Sequence, residues 1–89
     1  MEDLKDTLNE NAAFYREQER KITARLALLP KGRIRSKTIG GAAYFYLQYR
    51  KGRSVKSDYV GRAVPTILRD RLAERDRLEK ELLAVRDAL

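Results

Sequence analysis

Pro30 and Pro65 divide the 89-residue chain into three, and all five glycines lie between them, at positions 32, 40, 41, 52 and 61. Neither flank holds a residue that breaks a helix, so each can form one long element. The middle cannot be one helix. Its hydrophobic pattern changes as well, from steps of three and four in the flanks to alternation between the prolines.

The first flank carries Leu8, Ala12, Tyr15, Ile22, Leu26 and Leu29 at alternating steps of four and three, with Glu19 as the one polar intruder. That is an apolar stripe of heptad type, which predicts an amphipathic helix over residues 3–29 that Pro30 ends. Phe14 lies off the stripe and is a candidate contact with the sheet or a second chain. The second flank carries Ile67, Leu68, Leu72, Leu78, Leu82, Val85 and Leu89, predicting a helix over 65–88 with Pro65 in its first turn. Asp70 early and Arg86 late match the helix macrodipole.

Between them, "GRIRSKTI", "AAYFYLQYR" and "RSVKSDYVG" read as strands rich in β-branched and aromatic residues. Gly40-Gly41 and Lys51-Gly52 supply two tight turns, so residues 32–62 form a three-stranded antiparallel meander. Alternation places Phe45, Leu47 and Tyr49 on one face, with Ile34 and Val55 as companions. It leaves Tyr44, Tyr46, Gln48 and Arg50 on the other, joined by Arg33, Arg35 and Lys37. The expected fold class is α+β in a single domain, 1–89: helix, β-meander, helix. The helices should pair as an antiparallel coiled coil with the sheet at the tip of the hairpin. So thin a pair leaves apolar stripe uncovered, which points to a homodimer.

The net charge of +7 becomes informative when divided by segment. Residues 1–29 balance to −1 and residues 63–89 to zero, whereas residues 30–62 hold nine Lys/Arg against the single Asp58. A basic block between neutral flanks is an electrostatic footprint for nucleic acid. The candidate nucleic-acid-binding residues, taken to share the basic, tyrosine-bearing face of the sheet, are Arg33, Arg35, Lys37, Arg50, Arg53 and Lys56 for phosphates, with Tyr44 and Tyr46 reaching sugar or base. The plainer account is that tyrosines favour strands and cations guard sheet edges. That account predicts mixed charge, and a nine-to-one excess is not mixed.

Other functions find little footing. With no cysteine and no histidine there is neither a thiolate metal site nor the usual general base, so no metal or cofactor is expected. Ser36, Ser54 and Ser57 have no histidine to activate them, and the carboxylate pairs Asp70–Glu74 and Glu79–Glu81 sit in solvated helix positions. No glycine-rich stretch precedes a helix as a phosphate cradle. The expectation is a non-catalytic, cytoplasmic DNA-binding protein with no small-molecule substrate, no leader sequence and no membrane span. The alternative is an oligomerisation or protein-interaction module whose basic sheet meets an acidic protein partner.

"LPKG" at Leu29–Gly32, then Ile34, Lys37, Ile39 and "YFYLQYRKGRSVKSDYVG", resembles a family of small bacterial and archaeal proteins of unknown function. Its motif runs LPKG…YYYLQYR-x-GK-x-x-S-x-Y-I/V-G and is followed by a charged helix. The likeness covers about residues 28–80 and departs at Phe45, Ala42 and Ala43; it implies no particular activity. The strand–turn–strand pattern is also similar, in topology alone, to three-stranded sheets that contact DNA in some transposases and integrases.

Overall fold

The computed structural model describes the backbone of residues 4–89 and the side chains of residues 10–89. The order is α1 (Leu4–Leu26), β1 (Arg33–Ile39), β2 (Ala42–Lys51), β3 (Ser54–Gly61) and α2 (Thr66–Ala88), the α+β arrangement expected. The expected helix start at residue 3, and the side chain of Leu8, lie outside the described residues. The chain divides into two compact units, one holding the chain up to Leu29 with Asp76–Leu89, the other Pro30–Arg75.

The first unit is a pair of helical segments joined along their stripes. Ile22, Leu82 and Val85 are buried, and Tyr15, Leu26 and Leu78 pack against them. Leu26 and Leu78 lie towards one end, and Glu19 meets Arg86 towards the other, so the segments run antiparallel, a geometry compatible with coiled-coil pairing. The polar intruder in the stripe has a partner: Arg86 Nε donates to Glu19 Oε2 at 3.0 Å. Both side chains remain accessible to water, Arg86 more than Glu19, so this pair contributes little stability. Three buried residues make a thin core, which should respond to loss of a single methylene. Ile22→Val is expected to cost about 1 kcal/mol in urea unfolding. No measurable change in midpoint would show that Ile22 is not packed as described.

The helix ends differ from expectation in small, explicable ways. Pro30 disfavours a helical conformation at the residue before it, so α1 closes at Leu26 and not at Leu29. The chain tightens into shorter turns, Leu28 N–H donating to the Arg25 carbonyl at 3.0 Å and Leu29 N–H to that of Leu26 at 3.2 Å. Leu29 still reaches a buried position. At the other junction the Pro65 carbonyl accepts from Leu68 and Arg69, opening α2 at Thr66. Asp70 therefore falls beyond the first turn, which contains no acidic residue, and only Arg86 complements the dipole. Ile67 and Leu89 of the expected stripe are exposed. Ile67 and Leu68 are about 100° apart on the helix, and Leu68 takes the inward position.

In the second unit the strands lie in the order β1-β2-β3, antiparallel throughout. Gly40 and Gly41 both take positive φ, 59° and 81°, as a type I′ hairpin requires. The second turn is Gly52-Arg53, one residue later than expected, with Gly52 at φ 62° and Lys51 opposite Ser54. Ahead of β1, Gly32 (φ 127°) lies against β2 so closely that a Cβ would stand 2.5 Å from the Gln48 carbonyl oxygen. Arg75 Nε donates to the Pro30 carbonyl at 2.9 Å, tying the start of this segment to α2. No helix among the described residues is long and apolar enough to cross a membrane.

Candidate functional site

The register sorts the sheet residue by residue. In β1 and β2, Arg33 pairs with Gln48, Arg35 with Tyr46 and Lys37 with Tyr44, while Ile34 pairs with Leu47 and Ser36 with Phe45. One face therefore carries Arg33, Arg35, Lys37, Tyr44, Tyr46, Gln48 and Arg50, as expected. The other carries Ile34, Phe45, Leu47 and Tyr49.

Two assignments in the third strand are corrected. A two-residue turn pairs even-numbered positions of β2 with odd-numbered positions of β3, so Arg50 faces Val55 and Tyr49 faces Lys56. Val55 therefore stands on the cationic face, 58% exposed, and not beside Phe45 and Leu47. Lys56, a candidate phosphate contact, is on the opposite face with Tyr49. Arg53 belongs to neither, because it is the second residue of the turn. Sorting by apolarity alone misplaced Val55 and Lys56, since exposed hairpin positions tolerate either residue type.

Two members of the cationic face went unnoticed in the sequence. Tyr59 pairs with Tyr46, their ring centroids 5.4 Å apart and planes tilted by 59°. Beyond this pair the register shifts: Phe45 pairs with Gly61, leaving Val60 as an extra residue in β3. That bulge reverses the alternation and brings Arg62 to the cationic side, its Cζ 5.5 Å from the centre of the Tyr44 ring. The even spacing Tyr44–Tyr46 and the two-residue turn would have placed Tyr59; nothing in the sequence marks the bulge.

The face is electrostatically one-sided. Lys37 Nζ lies over the Tyr46 ring at 5.1 Å, and Arg35 Nε donates to Gln48 Oε1 at 3.2 Å. The sheet's one carboxylate, Asp58, pairs with Leu47 and so projects to the opposite face. There the Tyr49 hydroxyl donates to it, and this hydrogen bond, then partial burial and the negative charge of Asp58, raise the Tyr49 pKa above the usual phenol value. The strands thus place four cations on one face, Arg62 just beyond β3 adds a fifth, and no carboxylate lies among them.

The Tyr49–Asp58 pair gives a pH prediction. A raised pKa means that the folded state favours neutral Tyr49 over its phenolate. The resulting stabilisation is complete below the unfolded phenol pKa and is lost as pH rises through the higher folded value, in a window above about 10. Asp58→Asn should move the alkaline titration of Tyr49, followed by phenolate absorbance with Tyr49→Phe as the assignment control, to lower pH. An unchanged titration would mean that the two side chains do not interact in solution.

Among the described residues, no group of three or more His, Cys, Asp or Glu is placed to hold a metal ion. The arrangement offers point charges and rings on an open sheet surface, a means of binding an extended polyanion. Comparison with known proteins gives the class of the chain. The family model "Domain of unknown function (DUF6788)" matches residues 2–70, and the protein belongs to that family. The match takes in α1 and the whole meander and stops early in α2. No curated protein and no solved structure matches the chain.

Proposed function

We propose that the protein is a non-catalytic nucleic-acid-binding protein, DNA being the expected ligand, and that the cationic face of the meander is its binding surface. One observation carries the reading: Arg33, Arg35, Lys37, Arg50 and Arg62 share a sheet face with three tyrosines, and the strands' single carboxylate is turned away from it. Sheet-edge protection would be served by cations on either face and gives no reason to exclude acid from one of them. Binding to a polyphosphate backbone does, because each carboxylate nearby would repel the ligand and each cation releases condensed counterions.

Self-association through the helical unit belongs to the same proposal. Phe14, with its ring edge-on to Tyr15 at 5.5 Å, and Leu83 are 59% and 64% exposed, apolar area that a second copy would cover.

Fluorescence anisotropy with labelled duplex DNA, read at increasing salt, tests the reading. Binding should weaken steeply, with a log–log slope of about −0.9 for each phosphate engaged. Absence of binding to DNA and RNA at low salt would overturn it. Equal retention by polyglutamate-coated beads challenged with DNA would favour an acidic protein partner. Sedimentation with and without DNA reads the assembly state separately.

A further inference from the structure

The three tyrosines of the cationic face are not equivalent. Tyr46 stands between Lys37 on β1, whose ammonium lies over the ring, and Tyr59 on β3, its direct cross-strand partner. Tyr44 is covered by the Arg62 guanidinium, brought there by the extra residue at Val60. Both rings are half-buried within β2. A base stacks on a ring face, and here those faces are occupied by the protein's own cations. Tyr59, 58% exposed, is a single ring tilted against its neighbour and offers no row of platforms for successive bases.

Resting on the nucleic-acid reading above, we infer that Tyr44 and Tyr46 are positioning residues that hold Arg62 and Lys37 against the sheet. The face accordingly engages the sugar–phosphate backbone of duplex DNA without reading or stacking on bases, and Arg62 is a phosphate contact in its own right. Long cations lose rotamer freedom when they bind, and a ring that restrains them beforehand lessens that loss. Cations on β1 recur every second residue, about 6.6 Å apart, forming a line of charge along one edge. Arg62 lies across the sheet, beyond the β3 end of the Tyr44 row.

A double-mutant cycle on the full chain tests this, with a random-sequence duplex and an oligo-dT strand as probes. Arg62→Gln should weaken duplex binding about tenfold at fixed salt and flatten the salt slope by about 0.9. Tyr44→Leu should reproduce most of that loss, slope included. Tyr44→Phe, which keeps the ring, should bind as the parent does. The double variant Tyr44→Leu/Arg62→Gln should be no weaker than Arg62→Gln alone. The inference is overturned if the two losses multiply, if Tyr44→Leu weakens binding with an unchanged slope, if Tyr44→Phe binds more weakly, or if oligo-dT binds more tightly than duplex. Should circular dichroism show Tyr44→Leu unfolded, the cycle is repeated with Tyr46→Leu and Lys37→Gln. Arg62→Gln binding like the parent would by itself be decisive against the inference. Failure of the unaltered protein to bind either probe at low salt is a different result, and removes the parent reading of the face.

Discussion

Gly32→Ala should destabilise the protein by more than about 3 kcal/mol, the combined cost of a strained backbone and a collision with the main chain. At φ 127° the position is unfavourable for any residue with a Cβ. The added methyl would also stand 2.5 Å from the Gln48 carbonyl oxygen and 3.1 Å from the Leu47 and Tyr49 side chains. A carbonyl fixed in the central strand cannot swing aside as a surface lysine could. Gly40→Ala supplies the comparison, since a Cβ there meets nothing within 4 Å and only the left-handed conformation is unfavourable. Its cost should be about 1–2 kcal/mol. Paired urea denaturation curves measure the difference, and equal midpoints would show that β1 does not enter the sheet as closely as described. Because Gly32 immediately precedes Arg33, which pairs with Gln48, the same change should displace the first cation of the face.

Charge reversal on the face should act on binding with no comparable effect on folding. Arg33, Arg35 and Arg50 are exposed, and Arg35 alone among them has a described side-chain bond, to Gln48. Replacing all three with glutamate should leave the far-ultraviolet circular dichroism of the chain unchanged. Affinity for duplex DNA should fall by at least about a hundredfold, and the log–log salt slope should flatten by about 2.7 if each arginine engages one phosphate. Reversal at Lys56 is the internal control. It has the same sign and a neighbouring place in sequence, yet lies on the opposite face beside Tyr49. Lys56→Glu should therefore change affinity far less than any one of the three arginine reversals. If Lys56→Glu weakens binding as much as Arg35→Glu, binding follows net charge and not a face.

Periodicity reveals some features of this chain and is blind to others. Helix, meander and helix were legible because Gly and Pro confine the breaks and the apolar spacing changes between them. The composition of β1 and β2 by face was legible from alternation and the matching of Ile34 to Phe45 and Leu47, and the two-residue turn at Gly40-Gly41 supplies the register that alternation alone leaves open. The third strand was harder. Chemical type puts Val55 and Lys56 on the wrong faces, because the length of the turn, not polarity, decides the face of an exposed residue. Arg62 could not be placed at all, because an extra residue in a strand leaves no composition signal. In the helices, the intruder Glu19 was visible but its partner Arg86 was not, since that pairing depends on how two stripes register against each other.

The bulge at Val60 has a genetic corollary. In a regular strand the loss of one residue turns every residue beyond it to the other face. Deleting the single codon for Val60 would instead remove the extra residue and leave Gly61 opposite Phe45 and Arg62 beside Tyr44, so the residues that follow keep their faces. The cation beside Tyr44 would survive that loss, with every remaining amino acid the same. For descendants of this chain, the bulge is thus a place where the strand can shorten by one residue without altering the charge on its cationic face.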